Sequence, residues 1–182
     1  TGKSRHDTAW KAENITWQEL TDRLRTPCKT PEAYSEYRRM SAQDRADRKD
    51  VGGFVGGKLR GSRRKSEDVL SRCLITLDAD SAYPGLWDDV TVMLPWQMCA
   101  YSTHSHSPEK PRLRFVIPMT RDVTPDEYPA VARRVAEMIG IETMDPTTYQ
   151  PARLMYWPSH SRDAEYLLYE QEGETLDPDA IL

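Results

Sequence analysis

The stretch Ser71-Arg-Cys-Leu-Ile-Thr-Leu-Asp-Ala-Asp80 is an apolar run that ends in two carboxylates. Read as a strand, its side chains alternate faces, which puts Thr76, Asp78 and Asp80 on one side and Ile75, Leu77 and Ala79 on the other. Two acids on one face repel unless a cation or a shared proton lies between them, and a divalent metal is the natural third party. The strand then forms the floor of a metal site. Taken alone, the pair fits equally well the start of a surface loop, where Asp is common.

The rest of the composition narrows the class. At 182 residues the chain supports one sizeable core and is too short for two ordinary domains. Charged residues make up 30% and hydrophobic ones 38%, a hydrophilic globular profile, and no apolar run reaches the roughly 20 residues of a membrane span. Cys28, Cys73 and Cys99 are few, odd in number and not in metal-ligand spacing, as expected in a reducing cytoplasm. The first residues, Thr-Gly-Lys-Ser, carry neither an initiator Met nor a secretory pattern, so the chain is expected to be part of a longer protein. A net charge of -4 argues against a general nucleic-acid coat but leaves room for a local basic site.

Ahead of the central strand, residues 1–15 read as an irregular or short helical lead-in anchored by Trp10. Thr16-Trp-Gln-Glu19 has the form of a capping box, followed by a helix with Trp17, Leu20 and Leu24 as its buried stripe and Pro27 as its stop. Pro31 is placed to open a second helix through Tyr34, Tyr37 and Met40, and Ser41 to cap a third through Lys49. Then comes Val51-Gly-Gly-Phe-Val-Gly-Gly57, followed by a dense run of cations: Lys58, Arg60, Arg63, Arg64 and Lys65. Paired glycines let a backbone turn tightly or approach a ligand, and the cations create a positive potential suited to polyphosphate or a nucleic-acid backbone. The spacing matches neither a P-loop nor a dinucleotide fingerprint.

Beyond Asp80, Leu86–Val90 predicts a short helix with Trp87 turned inward. Trp96–His104 predicts a strand on which Ala100, Ser102 and His104 share a face. Arg112–Pro118 predicts its hairpin partner, with Arg112 and Arg114 on one face and Leu113, Phe115 and Ile117 on the other. Thr124-Pro-Asp-Glu127 is a strong helix start, with Tyr128, Val131, Val135, Met138 and Ile139 as its apolar stripe and Gly140 as its end. Arg153–Trp157 reads as a fourth strand and Tyr166–Tyr169 as a last one, followed by a linker-like tail over 173–182.

Asp78 and Asp80, then His104 or His106, then Asp145 supply hard oxygen ligands and an imidazole next to a phosphate-friendly surface. Carboxylates suit magnesium or manganese better than zinc. A pair of such ions about 4 Å apart can activate an attacking oxygen and stabilise a leaving one in phosphoryl transfer.

On Val51–Gly57, Leu77-Asp-Ala-Asp80, Tyr101-Ser-Thr-His-Ser-His106, Pro108-Glu-Lys-Pro-Arg-Leu-Arg114 and Pro151–Ser159, the chain resembles the archaeo-eukaryotic primase superfamily. Within it, the resemblance is to the primase-polymerase domains at the front of phage and mobile-element primase-helicases, the virulence-associated protein E type. The resemblance implies an α+β fold in which helices flank an RRM-like antiparallel or mixed catalytic sheet. A small helical subdomain over 1–50 would precede a catalytic core over 51–172, and 173–182 would link to a downstream helicase-like region. It further implies two Mg2+ or Mn2+ ions held by Asp78, Asp80 and Asp145, and a Ser-x-His element on Ser102 and His104, whose imidazole contacts the incoming triphosphate.

His106 competes with His104 for that role, which Ser102 decides for His104, and Glu142 is a weaker candidate for the third acid. By charge and position Arg112, Arg114 and Arg153 would be further phosphate contacts, and Lys58, Arg60, Arg63, Arg64 and Lys65 would hold the template. The implied activity is that of a DNA primase-polymerase, with single-stranded DNA template and dNTPs or NTPs as partners. Two alternatives stay open. One is a rolling-circle endonuclease, in which His104-Ser-His106 stands for a His-hydrophobic-His motif and Tyr149 is the nucleophile. The other is a non-catalytic single-strand binder stacking bases on Tyr101, Tyr156 or Trp157.

Overall fold

The central strand pairs on both sides, and the fold grows from it. The computed structural model describes residues 1–182. In chain order the elements are α1 (Trp17–Leu24), β1 (Cys28–Thr30), α2 (Tyr34–Arg39), α3 (Ala42–Lys49), β2 (Gly53–Phe54), β3 (Gly57–Leu59), β4 (Val69–Ala79), α4 (Leu86–Met93) and β5 (Met98–Ser102). They continue with β6 (Leu113–Val123), α5 (Tyr128–Ile139), β7 (Met155–Tyr156), β8 (Ser159–Ser161), β9 (Leu168–Gln171) and α6 (Pro178–Ile181). The main sheet is antiparallel with order β3-β4-β6-β5-β9.

Within the sheet, β4-α4-β5-β6-α5 with β6 between β4 and β5 is the split βαβ arrangement of RRM-like folds. Ile75, Leu77, Ala79, Met98, Ala100, Phe115 and Ile117 face α4 and α5 and, with Val90, Val131, Val135 and Ile139, form the larger core. The capping box of α5 is present: Thr124 Oγ1 accepts from the Glu127 backbone N–H at 3.2 Å and Glu127 Oε2 from that of Thr124 at 2.8 Å. Met138, expected in the buried stripe, is instead 37% exposed, and Ala132 and Ala136 take the inner positions. The opposite face carries a smaller apolar cluster, in which Leu20 and Leu24 of α1 meet Cys99, Tyr101, Val116, Phe54 and Met155. The amino-terminal helices therefore lean directly on the sheet face that holds the site.

Several expected boundaries move. Residues 1–15 form no helix; Gly2 bridges Gly53 and Trp10 is buried. Pro31 does not open α2. Residues 28–30 instead form a parallel pair with β8, and α2 begins at Tyr34, whose N–H donates to Asp163 Oδ1 at 2.7 Å. The predicted strand at Arg153–Trp157 shrinks to two residues and pairs with β2, outside the main sheet. The glycines before it serve packing between backbones, not the approach of a ligand: a Cβ on Gly53 would lie 2.3 Å from Met155 O, and one on Gly57 2.0 Å from Ser71 O. Residues 173–182 are docked rather than extended, with Leu176 fully buried and Arg121 paired to Asp179 at 2.6 Å. No helix is long and apolar enough to cross a membrane.

One local feature positions the site. β3 pairs only with the first part of β4, so the far end of β4 has an open edge beyond Arg72. The short 3-10 turn Pro146–Tyr149 closes it: Thr148 Oγ1 donates to Thr76 O at 2.9 Å and accepts from Asp78 N–H at 3.0 Å, and Asp145 N–H donates to Asp78 O at 2.9 Å. Both β4 groups are buried, so losing the hydroxyl leaves the Asp78 N–H unpaired and Thr76 O with only the long 3.4 Å contact from the Tyr128 hydroxyl. Thr148→Val, which keeps the shape, is expected to lower stability by about 1–3 kcal/mol in a denaturant titration, with an unchanged slope against denaturant.

Candidate active site

A cleft of about 250 Å³ opens on the sheet face opposite α4 and α5. Its walls bring together Asp78 and Asp80 from the end of β4, Asp145 from the plugging turn, His104 after β5, and Arg112 and Arg114 at the start of β6. Arg64, Arg153, Lys49 and Arg5 complete the charged lining.

The floor is an ion pair. Asp78 and Arg114 face each other across β4 and β6, and Arg114 Nε donates to Asp78 Oδ1 at 2.6 Å with both side chains nearly out of solvent. Arg114 Nη1 also donates to Tyr156 O at 2.9 Å. Burial works against its charge, but the Asp78 carboxylate and the Tyr101 hydroxyl outweigh it and hold the guanidinium protonated well above its ordinary range. Asp80 is the opposite case. Burial, and then the nearby Asp78 and Asp145 carboxylates, push its pKa up. Asp145 is lowered: burial opposes its charge, but the Thr147 N–H at 3.0 Å, Arg153 and a hydrogen bond from Asp80 favour it.

The donor chemistry of this trio, all carboxylate oxygen with an excess of negative charge around Asp80, suits a hard divalent cation. As the side chains stand, no three acidic, His or Cys groups converge on one point. Asp78 Oδ1 is engaged by Arg114, which leaves Oδ2 as its oxygen for an ion.

Positive charge dominates the remaining wall. Arg5 is paired with Asp47 at 2.6 Å and Asp50 at 3.2 Å, so the wall cations without a carboxylate partner are Lys49, Arg64 and Arg112. Burial, and then Arg114, pull the Lys49 pKa down, with Asp80 opposing. Arg153 stands 3.8 Å from Asp145, and Arg64 Nη1 donates to Ala152 O at 3.0 Å. Lys58, Arg60, Arg63 and Lys65 do not line the cleft; they lie exposed on the β3–β4 hairpin, and of that run only Arg64 reaches inward.

The imidazoles separate clearly. His104 lines the cleft, with Nδ1 2.8 Å from Ser159 Oγ, Nε2 3.0 Å from Glu32 Oε1, and its ring 4.5 Å from that of Tyr37. His106 points elsewhere: its Nδ1 accepts from Arg112 N–H at 3.1 Å and its Nε2 donates to Glu165 Oε1 at 3.0 Å, which locks the turn before β6. Ser102 does not share a face with His104, because β5 ends at Ser102 and the chain turns. Its buried hydroxyl accepts from Leu167 N–H at 2.9 Å and does not line the cleft. Glu142 is exposed and outside the cleft. Tyr149 belongs to the helix-side core with its hydroxyl buried, so it is not placed as a nucleophile. Tyr101 is fully buried, its hydroxyl donating to Tyr156 O at 2.7 Å, while Tyr156 and Trp157 line the cleft half-buried.

The family model of the VapE N-terminal domain matches residues 1–182, the whole chain. The chain belongs to the VapE N-terminal domain family. Among solved structures it is similar to the AEP domain of the cyanophage S-2L primase-polymerase, with a TM-score of 0.54 and 18% identity over 78% of this chain and 75% of that one. At that identity the likeness shows the fold, an AEP-type α+β domain. No curated protein matches.

For this VapE-type domain, sequence reading missed Lys49, Glu32, Ser159 and Arg5, which reach the site or support it from segments remote in the chain. Only Ser159 carried a signal, since it closes the Pro151–Ser159 stretch. The acidic trio also predicts a pH effect. A carboxyl whose folded pKa is raised favours its neutral form, so its ionisation costs stability as pH rises through that pKa. Asp80→Asn is therefore expected to raise the melting temperature at neutral pH, with the gain vanishing below the ordinary carboxylate range. Thermal melts from pH 3 to pH 8 in chelator read this directly.

Proposed function

We propose that the cleft is the active centre of a template-directed nucleotidyltransferase, a DNA primase-polymerase that makes a primer or short DNA from nucleoside triphosphates in phage or mobile-element replication. The observation that carries this reading is the charge layout. In a chain of net charge -4, three carboxylates and a ring of cations meet in one cleft on the open face of an RRM-like sheet. Acids ringed by cations suit a substrate that is itself a polyanion handled with divalent ions. The likeness to a primase-polymerase AEP domain and the family match support the same reading.

Asp78, Asp80 and Asp145 would hold two Mg2+ or Mn2+ ions, which when bound would lower the pKa of the primer 3′-hydroxyl and neutralise the departing pyrophosphate. The chain's own groups do the rest. Lys49, Arg112 and Arg153 bind the triphosphate, His104 orients it, and Arg114 holds Asp78 in place. Arg64, with Lys58, Arg60, Arg63 and Lys65 on the adjoining hairpin, holds single-stranded template. A helicase-like region downstream in a longer protein would bring the DNA.

The test is incorporation of labelled dNTPs or NTPs on primed and unprimed single-stranded templates with Mg2+ or Mn2+. Asp78→Ala/Asp80→Ala is expected to cut product by more than about a hundredfold while retaining template binding. Incorporation that survives the double substitution would overturn the reading. Template binding without incorporation under any condition would leave a recognition module.

A further inference from the structure

Both nitrogens of His104 are occupied within the chain, and that conflicts with a simple phosphate donor. Glu32 is the key to the arrangement. It follows β1, and the parallel pairing of β1 with β8 sets Thr30 opposite Ser161 and so brings Glu32 to His104. Glu32 Oε1 accepts from Thr30 Oγ1 at 2.8 Å and from His104 Nε2 at 3.0 Å, with only 3% of its side chain exposed. Its other oxygen, Oε2, is buried with no hydrogen-bond partner. A buried carboxylate so placed needs positive charge nearby. The charged candidates around it are Arg48 on α3, 3.9 Å away, and His104 itself.

We propose that Glu32 is a positioning residue for the triphosphate: it anchors His104 Nε2–H so that Nδ1, now resting on Ser159, is the donor that turns to a phosphate oxygen when nucleotide binds. The inference rests on the nucleotidyltransferase reading above. In the ligand-free arrangement the proton sits on Nε2, donated to Glu32, and Nδ1 accepts from Ser159 Oγ–H. A phosphate oxygen is an acceptor, so it replaces Ser159 only if Nδ1 takes up a proton from solvent. The resulting imidazolium then lies between two anions, the carboxylate of Glu32 and the phosphate. Tyr37, whose ring lies tilted against the imidazole at 4.5 Å between centroids, keeps it from turning away.

The groups that bear on His104 are Glu32, which favours its protonation, and burial, His160 on β8 and Lys49 on α3, which oppose it. Burial outweighs Glu32 in the free protein and lowers the pKa of His104, so the proton arrives with the anion. This is the logic of a carboxylate-oriented imidazole, built here between an amino-terminal segment and the catalytic sheet.

The experiment is titration of the whole chain with a nucleoside triphosphate and, separately, with the parent nucleoside, from pH 5.5 to pH 9. It uses wild type, Glu32→Gln, Glu32→Asp, His104→Ala and the double variant Glu32→Gln/His104→Ala. Gln can still accept from Nε2–H but removes the charge that favours imidazolium. Glu32→Gln is expected to weaken triphosphate binding about tenfold at neutral pH and to move its alkaline fall-off to lower pH. Nucleoside binding should not change, Glu32→Asp should recover part of the loss, and the double variant should be no weaker than His104→Ala. Wild-type affinity and pH profile in Glu32→Gln, with His104→Ala weakened, would overturn the role of Glu32 alone. Wild-type affinity in His104→Ala, or no triphosphate binding by the wild type, would overturn the phosphate role of His104 and this proposal with it. An equal loss on adding Glu32→Gln to His104→Ala would show that Glu32 acts on fold, not through the imidazole.

Discussion

The buried pair between Asp78 and Arg114 is the interaction on which the arrangement depends. It lies at a directly opposed position of β4 and β6, so the sheet register itself sets its geometry. A buried ion pair is a weak source of stability, because desolvation offsets most of the attraction. Its use here is to fix a carboxylate in place and aim it at the cleft, while the apolar residues on the reverse face carry the core. The alternation of β4 thus divides labour: Ile75, Leu77 and Ala79 build the fold, and Asp78 faces the cleft.

The second constraint is the half-open edge of β4. A strand end left unpaired would expose backbone groups in the middle of the protein. Thr148 and the N–H of Asp145 close it, and in doing so they bring a third acid to the first two from almost seventy residues away. Burial first, and then repulsion from Asp78 and Asp145, raises the Asp80 pKa, a shift of a kind seen where a site is shaped for a charged ligand.

The third is the way the amino-terminal segments embrace the site. Leu20 and Leu24 seal the apolar part of the open face, Lys49 adds a cation at the end of α3, and Glu32 and Tyr37 enclose His104. Of the first fifty residues, Arg5 and Lys49 line the cleft itself, and these contacts back it. They also explain why His104 and His106, two residues apart, have unrelated roles: one is gripped by Glu32 and Ser159, the other by Arg112 and Glu165.

By itself the sequence determined what local periodicity and short-range chemistry can specify. The alternation through Asp78, the β5–β6 hairpin, the helix caps at Thr16, Ser41 and Thr124, and the family resemblance were all legible in neighbouring residues, because each depends on short spacings along the chain. Tertiary structure alone decided which charges meet. That Ser102 faces a backbone amide, that the glycines of 52–57 pack against other strands, that four of five hairpin cations stay outside the cleft, that Lys49 lines it and that Glu32 backs it through His104 are long-range facts. They follow from which strand edge is free and which loop fills it, and a one-residue change of direction after β5 was enough to separate Ser102 from His104. Such contacts join residues seventy positions apart, where sequence spacing carries no geometric information.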